Sequence, residues 1–229
     1  MKLSIIIPTY NEEKTILEIL EKVKKADIGG IEKEIIIVDD FSKDRTGEIL
    51  RKIKDKNIKI FYHEKNYGKG FAIRTALKHA TGEIVIIQDA DLEYEPNDYK
   101  KLLKPILTGR AKVVYGSRIL NKKNEYSYLS FYFGGRLLTM IANILYGIKL
   151  TDEPTCYKVF RREVIDTIKL KCVKFEFCPE VTAKIAKKKI KIYEVPINYY
   201  PRSKKQGKKI KFKDGLTAIW TLIKYRFVN

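Results

Sequence analysis

Short β-branched and aliphatic runs alternate with amphipathic stretches through the first half of the chain. Ser4–Ile7, Glu34–Val38, Ile58–Tyr62 and Ile84–Gln88 read as strands. Between them, Asn11 is placed to cap a helix carrying Ile16, Leu17, Leu20 and Val23, and Asp44–Ile53 and Lys69–Ala80 read as further helices. Strands separated by helices imply right-handed βαβ units and a parallel sheet, and a near-continuous apolar strand such as Glu34–Val38 belongs inside one. The second half is less regular. Asn97–Leu107, Phe131–Tyr146, Pro179–Lys188 and Lys213–Phe227 read as helices, and Lys112–Tyr115 and Ile190–Tyr199 as strands. Pro196 inside the last strand points to a sheet edge.

The 229 residues suffice for one sizeable α/β domain, and no repeat or linker divides them. No run reaches the 18 apolar residues of a membrane span, and the N-terminal apolar run ends too soon at Pro8 for a signal peptide. Cys156, Cys172 and Cys178 are an odd count without a close pair, which fits a reducing cytoplasm and excludes a disulfide framework. With only His63 and His79 beside them, a zinc site lacks ligands. The net charge of +19 implies a polyanionic partner: phosphorylated substrate, anionic lipid or nucleic acid.

The chemistry starts at Gln88-Asp89-Ala90-Asp91, where a buried strand ends in carboxylates at i and i+2. On extended backbone these share a side, and two close like charges call for a cation or donors between them. Hard cations such as Mg²⁺ take one or two carboxylates plus substrate phosphates. A bare Asp-x-Asp also occurs on solvated loops; the neighbouring strand ends distinguish the two. They read Pro8-Thr9-Tyr10-Asn11-Glu12, Val38-Asp39-Asp40-Phe41-Ser42 and Asn66-Tyr67-Gly68-Lys69-Gly70. In a parallel sheet these gather beyond the carboxyl ends of the strands, where open α/β sheets bind ligands.

Together with Gly116-Ser117-Arg118, Asp152, Cys156-Tyr157-Lys158, Glu194-Val195-Pro196-Ile197 and Arg202, these motifs run in order along nearly the whole chain. The sequence resembles the family 2 glycosyltransferases, in particular the branch of dolichol-phosphate mannose synthase and other polyprenyl-phosphate sugar synthases. The resemblance implies an α/β GT-A fold: a Rossmann-like, mostly parallel sheet flanked by helices. It also implies a single domain over 1–229, with a nucleotide-sugar half (1–117) and an acceptor half (118–229). The activity it implies is inverting hexosyl transfer from a GDP- or UDP-sugar. Pro8, Tyr10, Glu12, Asp39 and Asp40 would then line the nucleotide pocket. Lys69, Ala90 and Arg202 would lie along the donor, and Asp89 and Asp91, with Glu93 as a third ligand, would hold Mg²⁺ or Mn²⁺. Arg118, Arg136 and Lys208 would meet the acceptor.

A phosphate monoester is already a dianionic nucleophile near neutral pH, so a lipid-phosphate acceptor asks for arginines where a hydroxyl acceptor asks for a base. Arg118, and Arg136 inside an apolar helix, suit the first case; Arg136 also reads as a snorkelling surface residue. Asp152, or less readily Glu180, is the candidate base in the second, though either also suits a turn or cap. The basic run from Arg202 to Lys213 reads as a loop closing over phosphates, a contact for anionic lipid, or a solvated loop. The helix after it has Leu216, Ile219, Trp220, Ile223 and Phe227 on one face, suited to a membrane interface or to the core. The expectation is a cytoplasmic protein that meets a lipid acceptor peripherally or through a membrane-protein partner. A nucleic-acid-binding module would explain the charge but not the clustered carboxylates, so no nucleic acid is expected; a non-catalytic nucleotide-sugar-binding protein is the other alternative.

Overall fold

The computed structural model describes residues 1–126, 128–203, 209 and 212–228. Seven strands form one sheet: β1 (Lys2–Thr9), β2 (Glu32–Asp39), β3 (Ile58–Tyr62), β4 (Ile84–Ile87), β5 (Val113–Ser117), β6 (Lys158–Arg161) and β7 (Ile192–Pro196), in the order β3-β2-β1-β4-β6-β5-β7. All neighbours are parallel except β6, which runs antiparallel to both β4 and β5. The helices are α1 (Ile16–Lys25), α2 (Thr46–Arg51), α3 (Lys69–His79), α4 (Tyr99–Leu107), α5 (Leu129–Tyr146), α6 (Arg162–Asp166), α7 (Phe177–Lys187) and α8 (Phe212–Phe227), with a 3₁₀ turn over Pro96–Asp98. The mostly parallel sheet in a single domain is the expected fold class.

Several boundaries differ from the sequence reading. Asn11 does not cap α1. It has a left-handed φ of 50° and its side chain accepts from Lys43 N at 2.7 Å, so the helix starts later, after Thr15. Strand β6 has no strand signature in the sequence, because Lys158 interrupts its apolar pattern. That lysine is nonetheless fully buried, donating to the Glu153 carbonyl at 2.6 Å and lying 3.8 Å from the centre of the Tyr115 ring. Pro196 does end β7 at the sheet edge.

The sheet, α1–α4, α6 and α7 enclose the main core, whose strands contribute Ile5, Ile6, Ile36, Ile37, Ile86 and Val159, all fully buried. A second core of Leu138, Ala142, Ala183, Leu222 and Tyr225 joins α5, α7 and α8. No helix among the described residues is long and apolar enough to cross a membrane.

One buried carboxylate ties the strands together at the end opposite the acidic loops. Glu34 accepts from Ser4 Oγ (2.5 Å), Thr81 N (2.6 Å), Gly82 N (3.0 Å) and Lys59 Nζ (3.1 Å). Burial opposes its ionisation, but these donors favour the anion and bring its pKa from 4.5 down to about 2. A depressed carboxyl contributes stability above its unfolded pKa and loses it as pH falls through the folded one. Glu34→Gln is therefore expected to cost about 2–3 kcal/mol at pH 7 in urea unfolding. That difference should shrink below about pH 4 and close near pH 2.

Candidate active site

The register of β1 with its neighbours decides which loops meet. Thr9 pairs with Asp39, and Ile6 with Ile87, so two residues further on Pro8 and Asp89 lie at the same level. The chain order reverses between β1 and β4, which makes this the switch point of the sheet.

Gln88, fully buried, anchors the loop that follows β4. Its Oε1 accepts from the hydroxyls of Tyr99 (2.6 Å) and Tyr157 (2.7 Å), and its Nε2 donates to the Asp89 carbonyl at 2.9 Å. With the amide so held, Asp89 and Asp91 are presented on either side of buried Ala90. Asp89 meets Lys69 at 2.5 Å, and Lys69 also donates to Cys156 Sγ at 3.8 Å. Burial would raise the Asp89 pKa, but Lys69 outweighs it and holds the carboxyl below its usual range. Asp91 is pushed the other way, by burial and by the charges of Asp89 and Glu93, with Arg202 offsetting part of the effect. Lys69 thus favours the ionised form of Asp89, whereas burial and the neighbouring carboxylates oppose the charge of Asp91.

Arg202 joins this cluster from the far end of the chain. Its guanidinium reaches Glu12 at 3.1 and 3.2 Å and Asp91 at 3.1 Å, and its buried Nε lies 3.9 Å from Glu93 Oε1, with no hydrogen-bond partner among the described residues. Lys209 adds a contact to Glu12 at 2.7 Å and donates to the Tyr10 carbonyl. Glu93, expected as a third ligand, is engaged by hydrogen bonds. It accepts from the Tyr199 hydroxyl at 2.7 Å and from Arg202 N at 2.9 Å. Among the described residues no three His, Cys, Asp or Glu side chains gather as a metal-holding group. Asp89 and Asp91 alone still fit a hard divalent cation, which commonly takes one or two carboxylates and fills its shell from water and phosphate.

The β2 carboxylates divide their tasks. Asp39 accepts from Ser42 Oγ at 2.5 Å. Asp40 is buried and fully engaged, binding His63 Nδ1 (2.7 Å), Tyr67 N (2.9 Å) and Gly68 N (2.6 Å). It therefore shapes the loop leading to Lys69. Gly68 in that loop has φ 101°, and a Cβ there would stand 2.6 Å from the Val173 carbonyl. Gly68→Ala is expected to cost about 2–4 kcal/mol, read by thermal unfolding, from strain plus that contact.

The third cluster lies beyond β5. Arg118 Nε and Nη2 grip Asp152 at 2.7 Å each, and Arg118 N donates to the same carboxylate at 2.9 Å. Burial opposes ionisation of Asp152, but Arg118 overrides it and lowers the pKa. An ion-paired carboxylate of depressed pKa is a poor proton acceptor. The other candidate base, Glu180, accepts from Lys171 N (2.7 Å), Cys172 N (2.5 Å) and Lys184 (2.5 Å), a structural setting apart from the acidic loop. Tyr199 links the clusters: its hydroxyl holds Glu93, and Arg118 lies 5.1 Å from its ring centre. Arg136 is exposed on α5 and donates to the Thr151 carbonyl at 3.0 Å. Lys208 lies outside the described residues.

Glu12, Lys69, Asp89, Asp91 and Arg202 thus converge through ion pairs, and Tyr199 links them to Arg118 and Asp152. In the sequence Glu194 stands out only within the motif Glu194-Val195-Pro196-Ile197, and nothing local gives Tyr199 or Thr151 a role. The available signal was a glutamate inside the otherwise apolar β7, but its partner lies in a distant turn.

Comparison with known proteins identifies the family. The chain is 30% identical over 230 residues to the low-salt glycan biosynthesis hexosyltransferase Agl6 of Haloferax volcanii, covering 99% of this chain and 53% of that protein. It is 30% identical over 215 residues to the dolichol-phosphate mannosyltransferase of Pyrococcus furiosus, covering 91% and 59%. It therefore spans little more than half the length of these relatives. In fold it is similar to glucosyl-3-phosphoglycerate synthase from Mycobacterium tuberculosis, solved with Mg²⁺ and uridine diphosphate: TM-score 0.75 at 18% identity, covering 100% of this chain and 80% of that one. The family model for glycosyl transferase family 2 matches residues 4–169, a span holding every acidic motif of the switch-point crevice, and the chain belongs to that family.

Proposed function

We propose that this protein is a metal-dependent inverting glycosyltransferase that moves a hexose from a nucleotide sugar to a polyprenyl phosphate of the dolichyl type. The observation that carries the reading is the adjacency of two unlike clusters. The Asp89–Asp91 pair with Lys69 and Arg202 suits a diphosphate, and the Arg118–Asp152 pair beside it offers a guanidinium to a second anion. The names of the relatives point the same way, one being a dolichol-phosphate mannosyltransferase.

Pro8, Tyr10, Glu12 and Asp39 are assigned to the nucleoside side of the pocket, with Asp40 shaping it from behind. Asp89 and Asp91 would hold Mg²⁺ or Mn²⁺, which when bound would neutralise charge on the diphosphate. Arg202 and Lys69, which reach Asp91 and Asp89, lie where charge develops as the bond from the anomeric carbon to the diphosphate oxygen breaks. A phosphate oxygen of the acceptor forms the new bond to that carbon from the opposite face, inverting it. No proton needs removing from a phosphate dianion, so Asp152 serves by orienting Arg118. With Nε and one Nη2 proton committed to Asp152, the guanidinium keeps three N–H donors for the acceptor. The hydroxyl-acceptor alternative needs Asp152 as a free base, and its pairing with Arg118 disfavours that.

The outer surface supports a lipid acceptor. Leu129, Phe133, Leu137, Met140 and Ile144 line α5 at helical spacing, with Phe133 64% and Ile144 73% exposed. On α8, which packs against α5, Leu216, Trp220 and Phe227 are exposed likewise. Such faces on a strongly basic chain suit the cytoplasmic surface of an anionic membrane.

The test is a screen of radiolabelled GDP- and UDP-sugars against polyprenyl phosphates and soluble acceptors, with Mg²⁺ or Mn²⁺. Labelled lipid abolished by EDTA is the expected result. Transfer to soluble hydroxyl acceptors alone, or transfer indifferent to EDTA, would overturn the reading.

A further inference from the structure

Both arginines assigned to the acceptor are referenced to one turn. Arg118 grips the Asp152 carboxylate, and Arg136 donates to the Thr151 carbonyl. The turn in its wake is held from two sides. Asn143 of α5 both accepts from Leu150 N and donates to Leu150 O at 2.8 Å. From β7, Glu194 Oε2 accepts from Thr151 N (2.7 Å) and Thr151 Oγ1 (3.0 Å), and its Oε1 accepts from Asp152 N at 3.0 Å. Ser117, next to Arg118, closes the ring through a 2.6 Å hydrogen bond between its hydroxyl and that of Thr151.

We infer that Glu194 is a positioning residue for acceptor binding, setting Arg118 and Arg136 in register by clamping the two consecutive N–H groups of the Thr151–Asp152 turn. The inference rests on the proposed role of those arginines. Its physical basis is the charge of the clamp. Glu194 is partly buried and stands beside a second carboxylate, Asp152, an arrangement that costs free energy. Consistent with that, burial raises its pKa against the pull of the turn's donors. What the carboxylate supplies in return is two acceptor oxygens facing two successive N–H groups. A glutamine would turn an NH₂ toward one of them. The carboxylate also sits on a sheet strand: Glu194 is paired with Tyr115 in β5, and β5 runs directly into Arg118. The turn that orients the guanidinium is thereby fixed to the strand that carries it, which is how rigid elements preorganise a site.

The experiment has one arm that needs no acceptor and one that does. In protein labelled with ¹⁵N-arginine, the Nε–H resonance of Arg118, assigned by its absence in R118K, reports the bond to Asp152. Glu194→Ala is expected to speed exchange of that proton by about 10-fold or more while the fold persists. Glu194→Gln provides the milder variant should the alanine protein not fold. In the kinetic arm, both variants should raise the KM for polyprenyl phosphate by about 10-fold with donor KM within about 2-fold of wild type. An unaltered Arg118 resonance in both variants overturns the inference. So does a perturbed resonance with unchanged acceptor KM, or an equal rise in both KM values. If the wild type transfers to no polyprenyl phosphate, the acceptor reading fails on its own, and the resonance still decides whether Glu194 positions Arg118.

Discussion

Asp91→Asn is expected to lower sugar transfer by about 10³-fold or more while the protein keeps its thermal midpoint or gains slightly. The two halves of that result have one cause. Burial and the charges of Asp89 and Glu93 push the Asp91 pKa up, so its negative charge is unfavourable for the fold. Removing it relieves repulsion. Arg202 is not stranded, because Glu12 still holds it at 3.1 and 3.2 Å. The same charge is what a divalent cation needs, and an amide binds such a cation far more weakly than a carboxylate. A site that stores repulsion for a ligand trades stability for function. The measurement is initial transfer rate beside a thermal melt. A variant retaining more than about a tenth of the rate would contradict the metal assignment.

Arg118→Ala should damage both stability and function. Asp152 is buried, and this substitution removes the two side-chain donors that compensate its charge, leaving the Arg118 backbone N–H. Breaking one side of a buried ion pair costs about 3–5 kcal/mol, which urea unfolding at neutral pH would register. A domain of typical stability survives that loss, so kinetics remain measurable. Acceptor KM should rise by about 100-fold, with donor KM nearly constant, as expected when a guanidinium contact to a phosphate is lost. Arg118→Lys separates the effects. It restores a positive charge near Asp152 and part of the stability, but not the planar fork, so the acceptor KM should stay high. If the lysine variant binds acceptor like wild type, bidentate recognition by Arg118 is ruled out.

The contrast between the two halves of the chain explains how much was legible. In β1, β2 and β4, side chains are buried on both faces, so Ile5-Ile6-Ile7, Ile35-Ile36-Ile37 and Ile84-Val85-Ile86 announce themselves as unbroken apolar runs. Polar residues at the ends of such runs mark the ligand edge, and the motif Gln88-Asp89-Ala90-Asp91 was read from that pattern. β6 gave no such signal, because its buried Lys158 is satisfied by a carbonyl and an aromatic ring that no local pattern reveals. The cap assigned to Asn11 failed for the related reason that its side chain bonds to a loop more than thirty residues away.

The sequence by itself determined the parallel α/β half, the acidic loop at the end of β4, and the inventory of cations able to meet phosphates. Those follow from short-range periodicity, strand-end polarity and charge, all carried by neighbouring residues. Only the tertiary structure decided which carboxylate each cation meets. Arg202 lies 111 positions from Asp91, and Asp152 lies 34 from Arg118. Those pairings place the Asp152 carboxylate against Arg118 and the Glu93 carboxylate against Tyr199 and the Arg202 backbone. Ionisation and hydrogen bonding depend on distance in space, and that distance is set by the packing of the sheet.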